Sequence, residues 1–309
     1  MSAAGGATAV LAAFLANIGI AITKLVAFLL TQSSSMLAES IHSLADSSNQ
    51  LLLLFGGRRA RRSATSEHPF GFGRERYVYA FLVSVVLFSV GGIFALYEGY
   101  HKLMHPEPIT AWQWVPVLVL VLAIGLETSS FVTAISESNK VRGTASWMRF
   151  IRRAKAPELP LVLLEDAAAL LGLVCALVGV TLTLVTGSGL WDAAATLAIG
   201  VLLVVVALFL AAETKSLLLG ESAGAEHTQA IEAAITDGGN VISLISLKTM
   251  HLGPEELLIA AKVAVPPDMT AQRLASSIDA AEARIRSVVP LKCGIYLEPD
   301  IARATSSKS

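Results

Sequence analysis

Residues 36–56 read Met36-Leu37-Ala38-Glu39-Ser40-Ile41-His42-Ser43-Leu44-Ala45-Asp46-Ser47-Ser48-Asn49-Gln50-Leu51-Leu52-Leu53-Leu54-Phe55-Gly56. A helix over this stretch reaches the length of about 20 residues that a bilayer crossing requires. Yet it carries Glu39, His42, Asp46 and Asn49, spaced by 3, 4 and 3 residues. With about 3.6 residues per turn, the four form one stripe on one helix face. Turned to lipid, such a stripe is untenable, and ionisable groups inside a bilayer are by default functional. It must therefore face the interior of a helix bundle, and the rest of the chain has to supply that bundle.

It does so on both sides. Further apolar stretches occupy roughly 7–30, 78–100, 113–136, 159–186 and 190–216, giving six spans in all. Charged residues make up 15% of the chain and hydrophobic ones 54%, whereas soluble domains carry about 25% charged residues. The first stretch, about Ala7 to Leu30, has no cationic segment ahead of it and is too long for a signal-peptide core, so it reads as a retained span. Tight turns at Thr31-Gln32-Ser33-Ser34-Ser35 and Thr186-Gly187-Ser188-Gly189 join spans 1–2 and 5–6.

The loop after span 2 carries Arg58, Arg59, Arg61, Arg62, Arg74 and Arg76; the loop after span 4 carries Lys140, Arg142, Arg149, Arg152, Arg153 and Lys155. The positive-inside rule then puts both loops, and with six spans both termini, in the cytoplasm. Topology accounts for these basic runs, whose composition also suits contact with anionic lipid. The net charge of −1 gives no sign of a nucleic-acid partner, and Cys175 and Cys293 lack metal-motif spacing, which makes them packing residues. Heavy use of Ala, Val and Leu suggests a bacterial source, hence a multi-pass protein of the plasma (inner) membrane.

From about Gly220 the composition turns soluble. Ala225 to Asp237 and Ala271 to Val288 read as amphipathic helices, the second with Leu274, Ile278, Ala281 and Ile285 on one face. Val241 to Thr249, Leu257 to Val265 and Lys292 to Glu298 read as strands, with a turn at Gly253-Pro254. The order is αββαβ.

His42 and Asp46, one turn apart, offer an imidazole nitrogen and a carboxylate to the same point, a donor pair suited to zinc and its neighbours. A second acidic feature lies in Leu161-Val162-Leu163-Leu164-Glu165-Asp166-Ala167-Ala168-Ala169-Leu170. Glu165 and Asp166 point about 100° apart, so both need not face one ion. Asp46 lies ~15 Å inward from Met36, and Asp166 ~11 Å inward from Leu159, at 1.5 Å per residue. In a core of about 30 Å both fall near mid-membrane. Lys24 in span 1 either snorkels or pairs with Glu39 or Asp46, and Asn17 shares its face. Glu127 and Glu213 are further acids, expected near the cytoplasmic ends of their helices. No His-Glu-x-x-His stands in any span, so a metal-dependent enzyme is not expected.

The run Ser34-Ser35-Met36-Leu37-Ala38-Glu39-Ser40-Ile41-His42-Ser43-Leu44-Ala45-Asp46, the loop His68-Pro69-Phe70-Gly71-Phe72-Gly73-Arg74-Glu75-Arg76-Tyr77 and the span-5 acids resemble the cation diffusion facilitator family. The resemblance implies a homodimeric, proton-coupled exporter of zinc or a related divalent ion in a lipid bilayer, with no cofactor beyond the transported ion. It implies a tetrahedral transport site with two ligands from span 2 and two from span 5, four residues apart in each pair. His42 and Asp46 match the first pair and Asp166 the second member of the other. Its first member falls at Val162, which has no donor atom; Glu165 is the substitute, as in a subgroup with a Glu-Asp pair here. A site this rich in carboxylate moves preference toward manganese or iron, so a manganese, iron or cobalt exporter is the alternative to zinc, and a metal-responsive membrane scaffold without flux is the alternative of another class. Glu67 and His68 are candidate ligands of the family's second site in the loop after span 2, where Phe72 stands in place of a His found in some members. His227, His251 and Asp268 are scattered along the tail and read as surface residues. The expected architecture is a six-helix transmembrane transport domain over residues 1–219, followed by a small ferredoxin-like α+β cytoplasmic domain over 220–309 that dimerises and regulates.

Overall fold

The structure, a computed structural model, describes residues 3–106, 108–237 and 243–301. Ten α-helices and three strands follow one another among them: α1 (Ala3–Thr31), α2 (Ser34–Ala60), α3 (Glu75–Val86), a π-helical segment (Leu87–Ile93), α4 (Phe94–Met104), α5 (Trp114–Arg142), α6 (Trp147–Arg153), α7 (Glu158–Thr186), α8 (Leu190–Leu219), α9 (Ala225–Thr236), β1 (Ser243–Gly253), β2 (Glu256–Val265), α10 (Ala271–Val288) and β3 (Lys292–Ile301). The chain divides into two compact units. One runs up to Arg58 and from Arg76 to Lys215; the other is Arg59–Glu75 with the chain from Ser216 onward.

In the first unit, four helices are long and apolar enough to cross a membrane: Glu75–Met104, Trp114–Arg142, Glu158–Thr186 and Leu190–Leu219. Helix α1 contributes a shorter apolar stretch, Asn17–Thr31. Helix α2 is 27 residues long, but its polar stripe and terminal arginines dilute its hydropathy. The core of the unit gathers Met36, Leu87, Leu120, Leu173, Ile199 and Leu203, all essentially inaccessible. Between apolar helices in lipid, small residues decide how closely backbones approach. A Cβ on Gly200 of α8 would stand 2.8 Å from the backbone nitrogen of Leu96, and one on Gly92 would stand 2.7 Å from a Val204 methyl. Glycine at both positions is what lets α8 lie against the Glu75–Met104 helix.

Two buried polar clusters tie α2 to its neighbours. At the start of α2, Asp192 of α8 is 1% exposed and accepts hydrogen bonds from Ser33, Ser34 and Ser35. One turn further in, Lys24 of α1 donates to Glu39 at 3.0 Å and to Ser43 at 2.8 Å, with Glu39 wholly buried. Of the two roles open to Lys24, the structure shows pairing with Glu39, not snorkelling. Helix α6, within what reads as a basic loop, was not foreseeable as a span feature; Ser146 caps it by accepting the N–H of Arg149.

In the second unit, β1 pairs antiparallel with β2 and β2 parallel with β3, in the order β1-β2-β3. The parallel pair needs a crossover, which α10 provides. Helices α9 and α10 pack on each other and seal the sheet with Ile231, Ile235, Leu257, Ile259 and Ile285. The αββαβ order is the expected one, with β1 longer than the sequence suggests and turning at 254–255. Residues 241–242, where the first strand was expected to begin, lie outside the described residues. His251 is not a surface residue: it is 3% exposed, with Nδ1 facing the Gly253 carbonyl at 3.3 Å. The segment Arg59–Glu75 joins this unit through a close glycine pair, since a Cβ on Gly73 would stand 2.7 Å from the Leu252 carbonyl oxygen and 3.2 Å from the Gly253 Cα.

Candidate metal centre

The stripe on α2 is real and mostly inaccessible. Glu39 and Asn49 are 0% exposed and His42 is 1% exposed, while the Asp46 side chain keeps 18%. Nε2 of His42 stands 3.6 Å from Oδ2 of Asp46. Among the described residues, neither ring nitrogen of His42, nor Oδ1 of Asp46, has a hydrogen-bond partner. Buried polar atoms without partners are rare and call for an explanation. Both His42 nitrogens are in this condition, with the Asp46 carboxylate 3.6 Å from Nε2.

Helix α7 brings two buried acids to this region, and they face different helices. Glu165 turns to α2, where it accepts from Nδ2 of Asn49 at 2.5 Å. Asp166, one residue on, turns to α5 and accepts from Ser130 Oγ at 3.0 Å. The angular offset between adjacent helical residues thus assigns Glu165 to the His42–Asp46 side. Val162 is only half-buried and offers no donor. No group of three or more His, Cys, Asp or Glu is gathered in metal-holding geometry among the described residues; here Asn49 and Ser130 hold the two α7 carboxylates.

Two neighbours carried no signal in the sequence. The π-helical segment Leu87–Ile93 puts Gly91 beside His42, with a Cβ position 3.9 Å from Nδ1. Ser130 becomes a partner only once α5 is laid along α7. Glu127 is in the middle of α5, 15 residues before its end at Arg142, and not at a helix terminus as expected. Glu213 does lie near the end of α8, with Arg152 at 4.0 Å.

The loop candidates are exposed. The His68 ring lies 4.7 Å from that of Phe72, over which the Arg62 guanidinium sits at 4.5 Å. The backbone N–H of His68 donates to Thr65 Oγ1. Glu67 is exposed as well.

A family model described as the cation efflux transmembrane domain matches residues 10–219. The chain belongs to the cation efflux family. The family is described by cation efflux, and no enzymatic activity is implied by that description. The proton-coupled zinc antiporter SLC30A9, mitochondrial, of Xenopus laevis is 32% identical to this cation efflux protein over 78% of the chain and 43% of the relative. The Homo sapiens protein of the same name is 31% identical over 78% and 42%. Metal tolerance protein C4 of Arabidopsis thaliana is 28% identical over 78% and 53%. The chain therefore spans about half, or less, of the length of these curated relatives. Among solved structures, the C-terminal domain of the magnetosome protein MamB from Desulfamplus magnetovallimortis covers 25% of this chain and 95% of its own, with 18% identity and a TM-score of 0.24. The expected bacterial plasma-membrane location is overturned by relatives that are named as mitochondrial; composition reports on hydrophobicity, which every membrane shares.

Proposed function

We propose that this chain exports a divalent transition-metal ion, zinc first, in exchange for protons, and that the ion binds at His42, Asp46, Glu165 and Asp166. The observation that carries the reading is His42: a buried imidazole with both nitrogens unpartnered, 3.6 Å from a carboxylate oxygen one helical turn away. An imidazole and carboxylates form a donor set that suits zinc. The names of the SLC30A9 relatives, proton-coupled zinc antiporters, support the cargo and the coupling, and also support a mitochondrial membrane.

Six spans complete the proposal: the four apolar helices, α1 and α2. The bundle reads as a transport domain over residues 1–219 and the α+β tail over 220–309 as a dimerisation and regulatory domain. Metal enters from the side of the basic loops. On its arrival the second oxygen of Glu165 takes the ion while Asn49 keeps the first, and Asp166 is drawn from Ser130. After the spans rock to open the other face, protons compete for the ligands and release the ion, because metal affinity requires deprotonated donors. His42 is the natural place for that competition. The carboxylate-rich donor set favours a second reading, in which manganese or iron is the preferred cargo.

The test is metal flux into proteoliposomes, comparing zinc, manganese, iron and cobalt with and without an imposed pH gradient. Gradient-driven zinc flux that disappears in Asp46→Ala, with that variant still folded, is the expected result. Selective manganese or iron flux would favour the second reading. Undiminished flux in Asp46→Ala would overturn the site, and metal binding without flux of any ion would point to a scaffold.

A further inference from the structure

Where α5 ends, the chain turns at Gly143 and runs through α6 before entering α7. Between these elements lies a cavity of about 300 Å³, with Val141, Ala145, Phe150 and Leu159 as its apolar wall. Arg142, Arg149, Arg153 and Lys155 stand around the same cavity. Cations around an apolar pocket are what an anion with a greasy attachment would fit.

The arginines on α6 sharpen the point. Arg149 and Arg153 are four residues apart and so share a helix face, where like charges repel. Both are exposed, and neither has a side-chain partner among the described residues. Arg152, on the other face, has Glu213 at 4.0 Å. Arg142 is held in place by Asn139, by the Ala145 carbonyl and by the Trp147 ring, 4.2 Å below its guanidinium. It is thus a fixed charge at the rim.

The apolar residues say where the anion comes from. Trp147 is 36% exposed, Met148 55% and Val141 67%, all beside the cationic row and at the ends of two membrane-length helices. A short helix with exposed Trp and Met and several arginines lies naturally in the headgroup layer. Basic pockets between spans are recognised sites for anionic headgroups.

We propose that this cavity binds the phosphodiester headgroup of an anionic phospholipid of the surrounding leaflet. The phosphate sits between Arg149 and Arg153, and the start of the acyl chains lies on Phe150 and Leu159. Arg142 and Lys155 contribute charge at the rim.

Native mass spectrometry of the full chain, delipidated in neutral detergent and titrated with phosphatidylglycerol or phosphatidylcholine, tests this. Phosphatidylglycerol is expected to bind in preference to phosphatidylcholine. Arg149→Gln/Arg153→Gln is expected to weaken it by roughly 10–30-fold, at about 1 kcal/mol for each basic residue near an anionic lipid surface. Arg58→Gln/Arg61→Gln removes the same charge and is expected to leave that affinity within a factor of about two, since neither residue lines the pocket. Equal losses in the two double variants would mean diffuse attraction and overturn the site. Displacement of the lipid by equimolar inorganic phosphate would make it a free-anion site and overturn the lipid assignment.

Discussion

The carboxylate of Asp192, on α8, sits over the first turn of α2: its Oδ2 accepts the backbone N–H of Ser34 at 2.7 Å. Oδ1 faces the N–H of Ser35 at 3.4 Å, and Ser33 donates to the same oxygen at 2.9 Å. A helix start leaves its first N–H groups without partners inside the helix, and a carboxylate placed there also meets the positive end of the helix dipole. The cap of α2 thus comes from a residue 158 positions away in the chain.

Removing it will loosen the helix that carries the candidate metal ligands. Asp192→Ala is expected to destabilise the protein by roughly 2–4 kcal/mol through lost capping and buried donors left unmade. Asp192→Asn, which keeps one acceptor, loses less. Thermal unfolding in detergent, followed by size-exclusion chromatography, reads both; an unchanged midpoint in the alanine variant would contradict the assignment.

Lys24 and Glu39 are a buried ion pair with side-chain exposures of 4% and 0%. Lys24→Met leaves a carboxylate stranded and is expected to destabilise by roughly 3–5 kcal/mol, as broken buried pairs do. Lys24→Met/Glu39→Met removes both charges and regains most of that loss. The comparison of the two variants in the same unfolding assay is the check, and a double variant no better than the single one would speak against the pairing.

Asn49 donates to Glu165 at 2.5 Å. Residues that orient metal ligands affect affinity without touching the ion. With Glu165 a ligand, Asn49→Ala is expected to weaken zinc binding by about 10–100-fold and Glu165→Gln to weaken it further. Calorimetric titration of zinc into the purified variants measures this. Wild-type affinity in Asn49→Ala would remove Asn49 from the site.

Gly200 faces Leu96 so closely that a side chain has no room: the nearest atom to its Cβ position is 2.8 Å away. Gly200→Val is expected to lower stability by about 1–3 kcal/mol or more by overpacking. Gly125, whose Cβ position has nothing within 4 Å, serves as the control, and Gly125→Ala is expected to be nearly silent. Equal behaviour of the two would mean that α8 does not lie against the Glu75–Met104 helix as described.

The parts of this molecule that are legible in sequence are those written in periodicity. Glu39, His42, Asp46 and Asn49 declare a buried face because their spacing matches the helix and their chemistry forbids lipid. The αββαβ tail declares itself through alternation and turn residues. What stays hidden depends on residues far apart meeting. Asp192 is one acid at the head of an apolar helix, and nothing local tells that it caps α2. Adjacent Glu165 and Asp166 are distinguishable only once α2 and α5 are in place on either side of α7. His251 looks like any polar strand residue until the strand's neighbours bury it. Helix α6 is too short for a periodic signal, and topology suffices to account for its arginines in the sequence. Location is hidden for another reason, since hydrophobicity specifies a bilayer and not which one.

The π-helical segment Leu87–Ile93 runs past His42, with Gly91 and Gly92 both buried in it. Such a segment holds one residue more than the α-helical turns on either side of it. Handing that surplus residue along the backbone would turn the residues it passes by about 100°, the angle of a single helical step, while the helix on either side keeps its register. A register change of that kind would alter which residues of the Glu75–Met104 helix face the imidazole, and would leave the ends of that helix where they are.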